Sequence, residues 1–183
     1  MIKAARAVGL AFVITSCSSG EARAPVAPPP VEVHPRLMFP ASAKPLVLGR
    51  IGREPYATLW KRLNETAAQT PRAPEPGTWE SGVYGERADV AQANALVAFL
   101  QDDAAAAARA KEYLLGLGTN LEDSTDLDDD IRIPRVFMGY CNAWDLLSAT
   151  RFLSPSESAD ARARITTLAR KFAERYLDSP FMR

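Results

Sequence analysis

Several features that would place a protein in a class at once are missing from this sequence. Lysine plus arginine and aspartate plus glutamate are equal at 22 each, so the basic excess of a nucleic-acid-binding protein is absent. No stretch alternates β-branched with polar residues, which disfavours strands. No fixed-period repeat of the tetratricopeptide kind occurs. No second apolar run follows the one at residues 7–14, so the body of the chain is expected to be soluble.

The first sixteen residues have the composition of a secretory signal peptide. Lys3 and Arg6 provide a positive start, and the apolar run that follows is too short to span a bilayer. Two small residues, Thr15 and Ser16, then precede Cys17. An ordinary secretory signal next to an unrelated cysteine is the alternative interpretation.

The segment that ends at Cys17 resembles a bacterial lipobox. The resemblance implies cleavage before Cys17, a diacylglyceryl thioether on its sulfur and an acylated new N-terminus; several acyl chains anchor a protein stably where one would not. Ser18 implies, by the same resemblance, the outer membrane of a Gram-negative cell. We therefore expect a cell-envelope protein that is lipid-anchored through Cys17 and faces the periplasm or the exterior.

Residues 17–33 are expected to form a tether, and residues 34–183 a single domain. Four of the tether residues are proline, a composition typical of an extended, partly polyproline chain. Loss of the signal peptide with its two basic residues leaves a net charge of −2. With Cys17 lipidated, Cys141 has no partner for an internal disulfide, and its aromatic neighbours predict a small buried hydrophobic residue.

The body of the chain is predicted to be all-α. Apolar residues recur at helical spacing, with glycine or proline between the periodic segments. A loop rich in proline and glycine is predicted at 70–85, and a polar loop at 119–130. The predicted helices are 41–49 (a short turn), 54–69, 86–101, 104–117, 134–150 and 155–177.

The last four helices are predicted to form two antiparallel hairpins. Asp102-Asp103 is a tight turn between the first two, and a short connection joins the last two. The last helix begins with Ser154-Pro155-Ser156-Glu157, which combines an N-cap serine, a proline at the first helical position and a capping-box glutamate. Hairpins in series favour a toroid or a solenoid, since each pair buries its apolar face on the next.

Six segments in order resemble heparinase II/III-like enzymes and related alginate lyases. The opening His34-Pro35-Arg36-Leu37-Met38-Phe39 is similar to the "HPRL-F" start of that family. Each motif alone is moderately specific, and their shared order covers nearly all of residues 34–177. The other matching segments are 55–63 (PYATLWKRL), 91–100 (AQANALVAFL), 108–115 (ARAKEYLL), 143–147 (AWDLL) and 153–157 (LSPSE).

The resemblance implies the N-terminal portion of an incomplete (α/α) toroid, in a polysaccharide lyase that cleaves uronic-acid polymers such as alginate or heparin by β-elimination. Its expected partner is an anionic polysaccharide. The family's carboxylate-binding Asn-His pair would fall just beyond Arg183, and His34 is the only histidine here. No catalytic residue is therefore carried over, and this chain alone is expected to be a truncated, inactive portion. A non-catalytic glycan-binding or scaffold lipoprotein is the alternative.

Five residues are candidates for substrate binding. Trp79 and Tyr84 lie in the predicted loop 70–85, where aromatic rings at a toroid rim stack on sugars; loop packing is the alternative. Arg132 and Arg135 are able to grip carboxylates bidentately, or to pair with the acidic loop beside them. Tyr140 would act as a base only with a depressed pKa, so packing in the core is favoured.

The remaining polar features are expected to be structural. His34 is predicted to be a hydrogen-bonded packing residue, and Asp145 to bond a neighbouring loop backbone. The acidic loop 122–130 suggests calcium through Asp126, Asp128 and Asp130. An EF-hand, however, needs glycine and glutamate where Ile131 and Phe137 stand. No metal site and no cofactor are therefore expected.

Overall fold

The computed structural model describes residues 33–121 and 129–177, without the side chains of 129–131 and of 176–177. The predicted signal peptide, the predicted lipidation site Cys17, most of the tether, Asp126 and Asp128 fall outside what is described, as does the side chain of Asp130. The described part contains helices and no strand, which confirms the all-α prediction there. Its elements are a 3-10 turn Ala41–Ala43, α1 (Lys44–Arg50), α2 (Tyr56–Ala67), α3 (Ser81–Gln101), α4 (Ala104–Leu115), α5 (Asp129–Ser148) and α6 (Pro155–Leu177).

Helix α3 is the centre of the packing. It lies against α2, α4 and α5, and α5 in turn packs on α6. Small residues let α3 and α5 approach closely: a Cβ built on Gly139 would lie 2.8 Å from the Cβ of Ala88. Both helices are buried on the faces that meet, which places the core between them.

Local capping signals set two helix starts as predicted. Asp103 begins α4 by accepting hydrogen bonds from the backbone amides of Ala105 (2.8 Å) and Ala106 (3.0 Å). The capping box of α6 is present: Glu157 Oε2 accepts from the Ser154 amide (2.8 Å), and Ser154 Oγ accepts from the Glu157 amide (3.3 Å). Each pair satisfies amides that the first helical turn leaves without partners.

Two predicted boundaries were wrong. Helix α3 begins at Ser81 and not at residue 86, so the predicted loop ends earlier and Tyr84 lies on a helix. Burial of Val83 and Tyr84 offsets the low helix propensity of nearby glycines. Helix α5 begins at Asp129 and holds Pro134 in its interior. A proline this close to the start removes only one early backbone hydrogen bond.

Helices α1 and α2 are far less covered than the other four. No residue of α1 is buried, and α2 buries only Ala67. The apolar residues of α2 are therefore only partly covered: Trp60 and Leu63 pack against the core, whereas Tyr56 is 43% exposed and Leu59 is 57% exposed. In the ranges 33–121 and 129–177, no helix is both long enough and apolar enough to cross a bilayer.

Candidate functional site

Trp79 and Tyr84 lie in the interior. Their side chains are 1% and 4% exposed, and their rings stack with centroids 5.2 Å apart. The Trp79 indole donates a hydrogen bond to the Gly118 carbonyl (3.2 Å), and the pKa of Tyr84 is raised, chiefly by burial. Neither ring offers a face to a sugar in this arrangement, which favours the packing alternative.

Arg132 and Arg135 line a small surface cleft between α3 and α5. The cleft has a volume of about 280 Å³ and also contains Glu86 and Asp89. Arg135 donates to Asp89 Oδ2 at 2.6 Å, while its side chain stays 72% exposed. The arginine is thus paired across helices with an α3 carboxylate. The two acidic residues oppose the entry of an anionic ligand.

Tyr140 is fully buried in α5. Loss of solvent raises the pKa of its phenol well above the ordinary value, and the nearby Arg87 guanidinium offsets this only in part. A base needs a depressed pKa, so the environment of Tyr140 favours the packing alternative. Cys141 is only partly buried, not fully buried as predicted; burial, followed by the Asp145 charge, still raises the pKa of its thiol to about 11, which disfavours the thiolate at neutral pH.

His34 and Asp145 form a hydrogen-bonded pair between the start of the domain and α5. His34 Nδ1 lies 2.7 Å from Asp145 Oδ1, with the two side chains 9% and 1% exposed. The other oxygen, Oδ2, accepts from the backbone amides of Arg36 and Leu37, each at 2.8 Å. This confirms both structural predictions: His34 is a hydrogen-bonded packing residue, and Asp145 bonds a loop backbone.

Trp144 connects this pair to α6. Its indole packs edge-on against the His34 ring, with centroids 5.0 Å apart and an interplanar angle of 68°. The indole N–H donates to Ser158 Oγ at 3.0 Å. The sequence segment 34–37 is thereby joined to α5 and α6, with one imidazole and one indole at the junction.

An open groove of about 880 Å³ starts at this junction and follows α6. Residues of α6 contribute one whole side of it, at positions that recur every four residues and so share a face of the helix. These positions are distinct from the buried face of α6, which carries Ala161, Ile165 and Leu168. The side chains with polar or aromatic groups in the groove are His34, Trp144, Ser148, Ser158, Arg162, Thr166, Thr167 and Arg170.

The groove combines cations, hydroxyls and aromatic rings. Arg162 and Arg170 are two helical turns apart, about 12 Å along the axis. Both are exposed, and the described residues that line the groove with them include no carboxylate. Guanidinium groups bind carboxylates bidentately, and hydroxyls bind the hydroxyls of sugars. The arrangement suits an extended anionic ligand that carries many hydroxyl groups.

The sequence alone did not point to this groove. The repeat Ser158, Arg162, Thr166, Arg170 looks like any solvated face of an amphipathic helix. Only its position beside His34 and Trp144 makes it one wall of a groove. Among the described residues, no three histidine, cysteine or acidic side chains cluster as metal ligands would. Comparisons with protein-family models, curated proteins and solved structures find no match to this chain.

Proposed function

We propose that this protein binds an anionic, uronate-containing polysaccharide in the groove along α6, as part of a lyase of the heparinase II/III-like type. The groove with its two arginines is the observation that carries the proposal. The order of the sequence motifs supplies the lyase assignment. On this view the chain is the N-terminal helical portion of the enzyme, anchored to the cell envelope through lipidated Cys17.

The proposed architecture is a series of antiparallel hairpins that form part of an (α/α) toroid. Two observations support it. Helices α3 and α4 are joined by only two residues and pack on each other. Helices α5 and α6 are joined by six residues, 149–154, and also pack together. Short connections of this kind are typical of helical hairpins.

The groove chemistry suits recognition more than catalysis. In β-elimination, a group must neutralise the uronate carboxylate before a base removes the C5 proton. Arg162 and Arg170 are suited to binding carboxylates, and Trp144 to contacting a sugar ring. The imidazole of His34 is nearly buried, with Nδ1 committed to Asp145. We therefore assign no catalytic residue within this chain.

A non-catalytic glycan-binding or scaffold lipoprotein is the second candidate. It is favoured by the groove chemistry, which provides cations and hydroxyls for binding, while the nearly buried His34 has Nδ1 committed to Asp145. Incubation of the chain with alginate or heparin, followed by ultraviolet absorbance of unsaturated uronates, tests catalysis directly. We expect no product from residues 1–183 alone, and sustained product formation would refute this.

Binding is tested by titrating the mature chain with alginate oligosaccharides in a calorimeter. We expect saturable binding that weakens at least tenfold in the variant Arg162→Ala/Arg170→Ala, since each charge-assisted hydrogen bond contributes roughly 1.5–3 kcal/mol. The variant Arg53→Ala/Arg72→Ala removes the same charge outside the groove and is expected to bind within twofold of wild type.

Two results would contradict the binding proposal. Equal weakening in both double variants would show that net charge, and not the groove, attracts the polymer. Tight binding of neutral glucan oligosaccharides would show that the arginines do not select carboxylates. Trp144→Ala is a further test. Loss of the ring should weaken binding even at high salt, because salt screens the arginine charges but not the contact between the ring and a sugar.

A further inference from the structure

The N-terminal part of the domain exposes more large apolar side chains than the rest of the described residues. Met38 (47%), Leu46 (56%), Tyr56 (43%) and Leu59 (57%) are all open to solvent. We call these four residues the N-terminal apolar surface. The described residues of α3, α4 and α6 expose no large hydrophobic side chain, and α5 exposes only Met138. Apolar area that is concentrated in one region marks an interaction surface more often than scattered residues do.

One cation–π contact, helical spacing and a shared cleft relate the four residues to one another. Leu46 and Arg50 are four apart on α1, and the Arg50 guanidinium lies over the Tyr56 ring at 5.9 Å. Tyr56 and Leu59 share a face of α2 with Leu63. Leu63 and Met38 in turn line one shallow cleft of about 340 Å³. The surface thus runs from α1 across α2 to the segment that begins the domain.

The surface also belongs to the segment of the domain that has a net positive charge. Residues 33–69 contain six basic and two acidic residues, a net charge of +4, whereas residues 70–183 contain thirteen basic and eighteen acidic residues, a net charge of −5. Three exposed arginines lie within or beside the apolar residues: Arg50, Arg53 in the turn between the helices, and Arg62 one helical turn after Leu59. The balanced charge of the whole chain conceals this separation.

We propose that the N-terminal apolar surface docks on the surface of an anionic phospholipid bilayer. Apolar side chains flanked by basic residues on short amphipathic helices are the features of segments that lie in a membrane interface. The positive charge would be drawn to anionic headgroups, while the negative charge of residues 70–183 would keep the rest of the domain away from them. A second copy of this chain fits less well, because the surface would meet its own +4 charge.

The position of the surface in the sequence supports this occupant. Residues 18–33 separate the start of the domain, four residues before Met38, from Cys17, and this stretch cannot exceed about 55 Å even when fully extended. A lipid at Cys17 would therefore keep the surface close to the bilayer at all times. The proposal does not depend on glycan binding, which uses α6.

The test uses the mature chain with Cys17→Ser, so that no acyl chain contributes to binding. The described residues 33–121 and 129–177 belong to one compact unit. Co-sedimentation with vesicles of phosphatidylglycerol and phosphatidylcholine, compared with pure phosphatidylcholine, measures the partition coefficient. We expect binding to the anionic vesicles only, and a decrease between 50 and 500 mM salt on the order of tenfold.

Two double variants separate the apolar and the electrostatic parts. Leu46→Asp/Leu59→Asp should reduce the partition coefficient more than tenfold, whereas Ala105→Asp/Ala108→Asp, with the same added charge on exposed positions of α4, should reduce it less than threefold. Arg53→Glu/Arg62→Glu should reduce it more than tenfold, since each basic residue near an anionic surface contributes about fivefold. Circular dichroism and the thermal midpoint verify that each variant is folded.

Three outcomes would overturn the proposal. Equal loss in the two aspartate variants would place the membrane contact elsewhere. Equal binding to phosphatidylcholine vesicles would remove the role of the basic residues. A concentration-dependent dimer in sedimentation, abolished by Leu46→Asp/Leu59→Asp and unaffected by vesicles, would assign the surface to a second copy of the chain.

Discussion

The first two helices and the last four follow the same sequence rules but use their apolar faces differently. Helix α2 has a clear apolar stripe, yet Leu59 on it is 57% exposed. Helix α4 has a weaker stripe, and its Leu114 is fully buried. The contrast shows that amphipathic spacing predicts a helix and its apolar face, but not whether another element covers that face. We expect the two regions to respond in opposite ways to matched substitutions.

The largest contrast is expected for leucine truncation. Leu114→Ala leaves a cavity at a site with 0% exposure and should lower the free energy of unfolding by roughly 2–5 kcal/mol. Leu46→Ala, at a site with 56% exposure, should change it by less than about 0.5 kcal/mol. Urea unfolding followed by circular dichroism measures both. Comparable losses would mean that Leu46 is covered in solution.

Replacing a glycine with alanine is expected to have smaller effects on the free energy of unfolding, with opposite signs in α5 and α1. Gly139→Ala places a Cβ 2.8 Å from that of Ala88 and 3.3 Å from the Ala88 backbone, which cannot yield without moving α3 from α5. We expect a net loss of about 1–2 kcal/mol. Gly49→Ala on α1 meets nothing within 4 Å and should stabilise by about 0.5–1 kcal/mol through helix propensity. A stabilising Gly139→Ala would contradict the close helix contact.

The smallest expected difference between the two regions is in how a glutamate contributes to stability as the pH changes. The Lys111 ammonium, followed by the hydrogen bonds to Ser154, lowers the pKa of Glu157 from 4.5 to about 2. Because the folded pKa is depressed, the stabilisation is present above pH 4.5 and is lost as the pH falls from 4.5 towards 2. Glu157→Gln should therefore cost roughly 0.5–1 kcal/mol at pH 7 and almost nothing near pH 2.

The control for this pH dependence is Glu65→Gln on α2. Its carboxylate is 60% exposed and lies 4.0 Å from Lys61, an exposed pair that contributes little. Thermal midpoints at pH 7 and pH 2.5 should differ from those of wild type by the same small amount at both values. A pH-independent effect of Glu157→Gln would show that its charge does not stabilise the start of α6.

Much of the secondary structure was predictable because it depends on neighbours within four residues. The tight turn at Asp102-Asp103 was predicted between two periodic segments, and the start of α6 at Pro155 was predicted from capping residues that act locally. The starts of α3 and α5 were harder to predict. Gly82 and Pro134 are local signals against a helix, and in both cases the helix extends further than those signals allow.

The candidate site was much less predictable than the helices. Trp79 and Tyr84 were candidates for stacking on a sugar, with loop packing as the alternative, and both pack beside Gly118, more than thirty positions further along the chain. The groove residues Arg162 and Arg170 carry no local signal that distinguishes them from other charges on an exposed helix. These arginines line a groove only because residues of other elements lie across from α6. The spacing of residues within one helix does not predict which elements those are.

The sequence by itself determined that this protein is helical where the structure describes it, and where most of those helices begin and end. It also carries the charge separation between residues 33–69 and 70–183. Only the tertiary structure decided that Asp145 holds His34 across 111 positions, that a groove follows α6, and that α2 keeps an apolar edge exposed. The physical reason is the sequence distance over which each interaction acts. Helix formation and capping depend on residues a few positions apart, whereas burial depends on how elements that are distant in the sequence pack together.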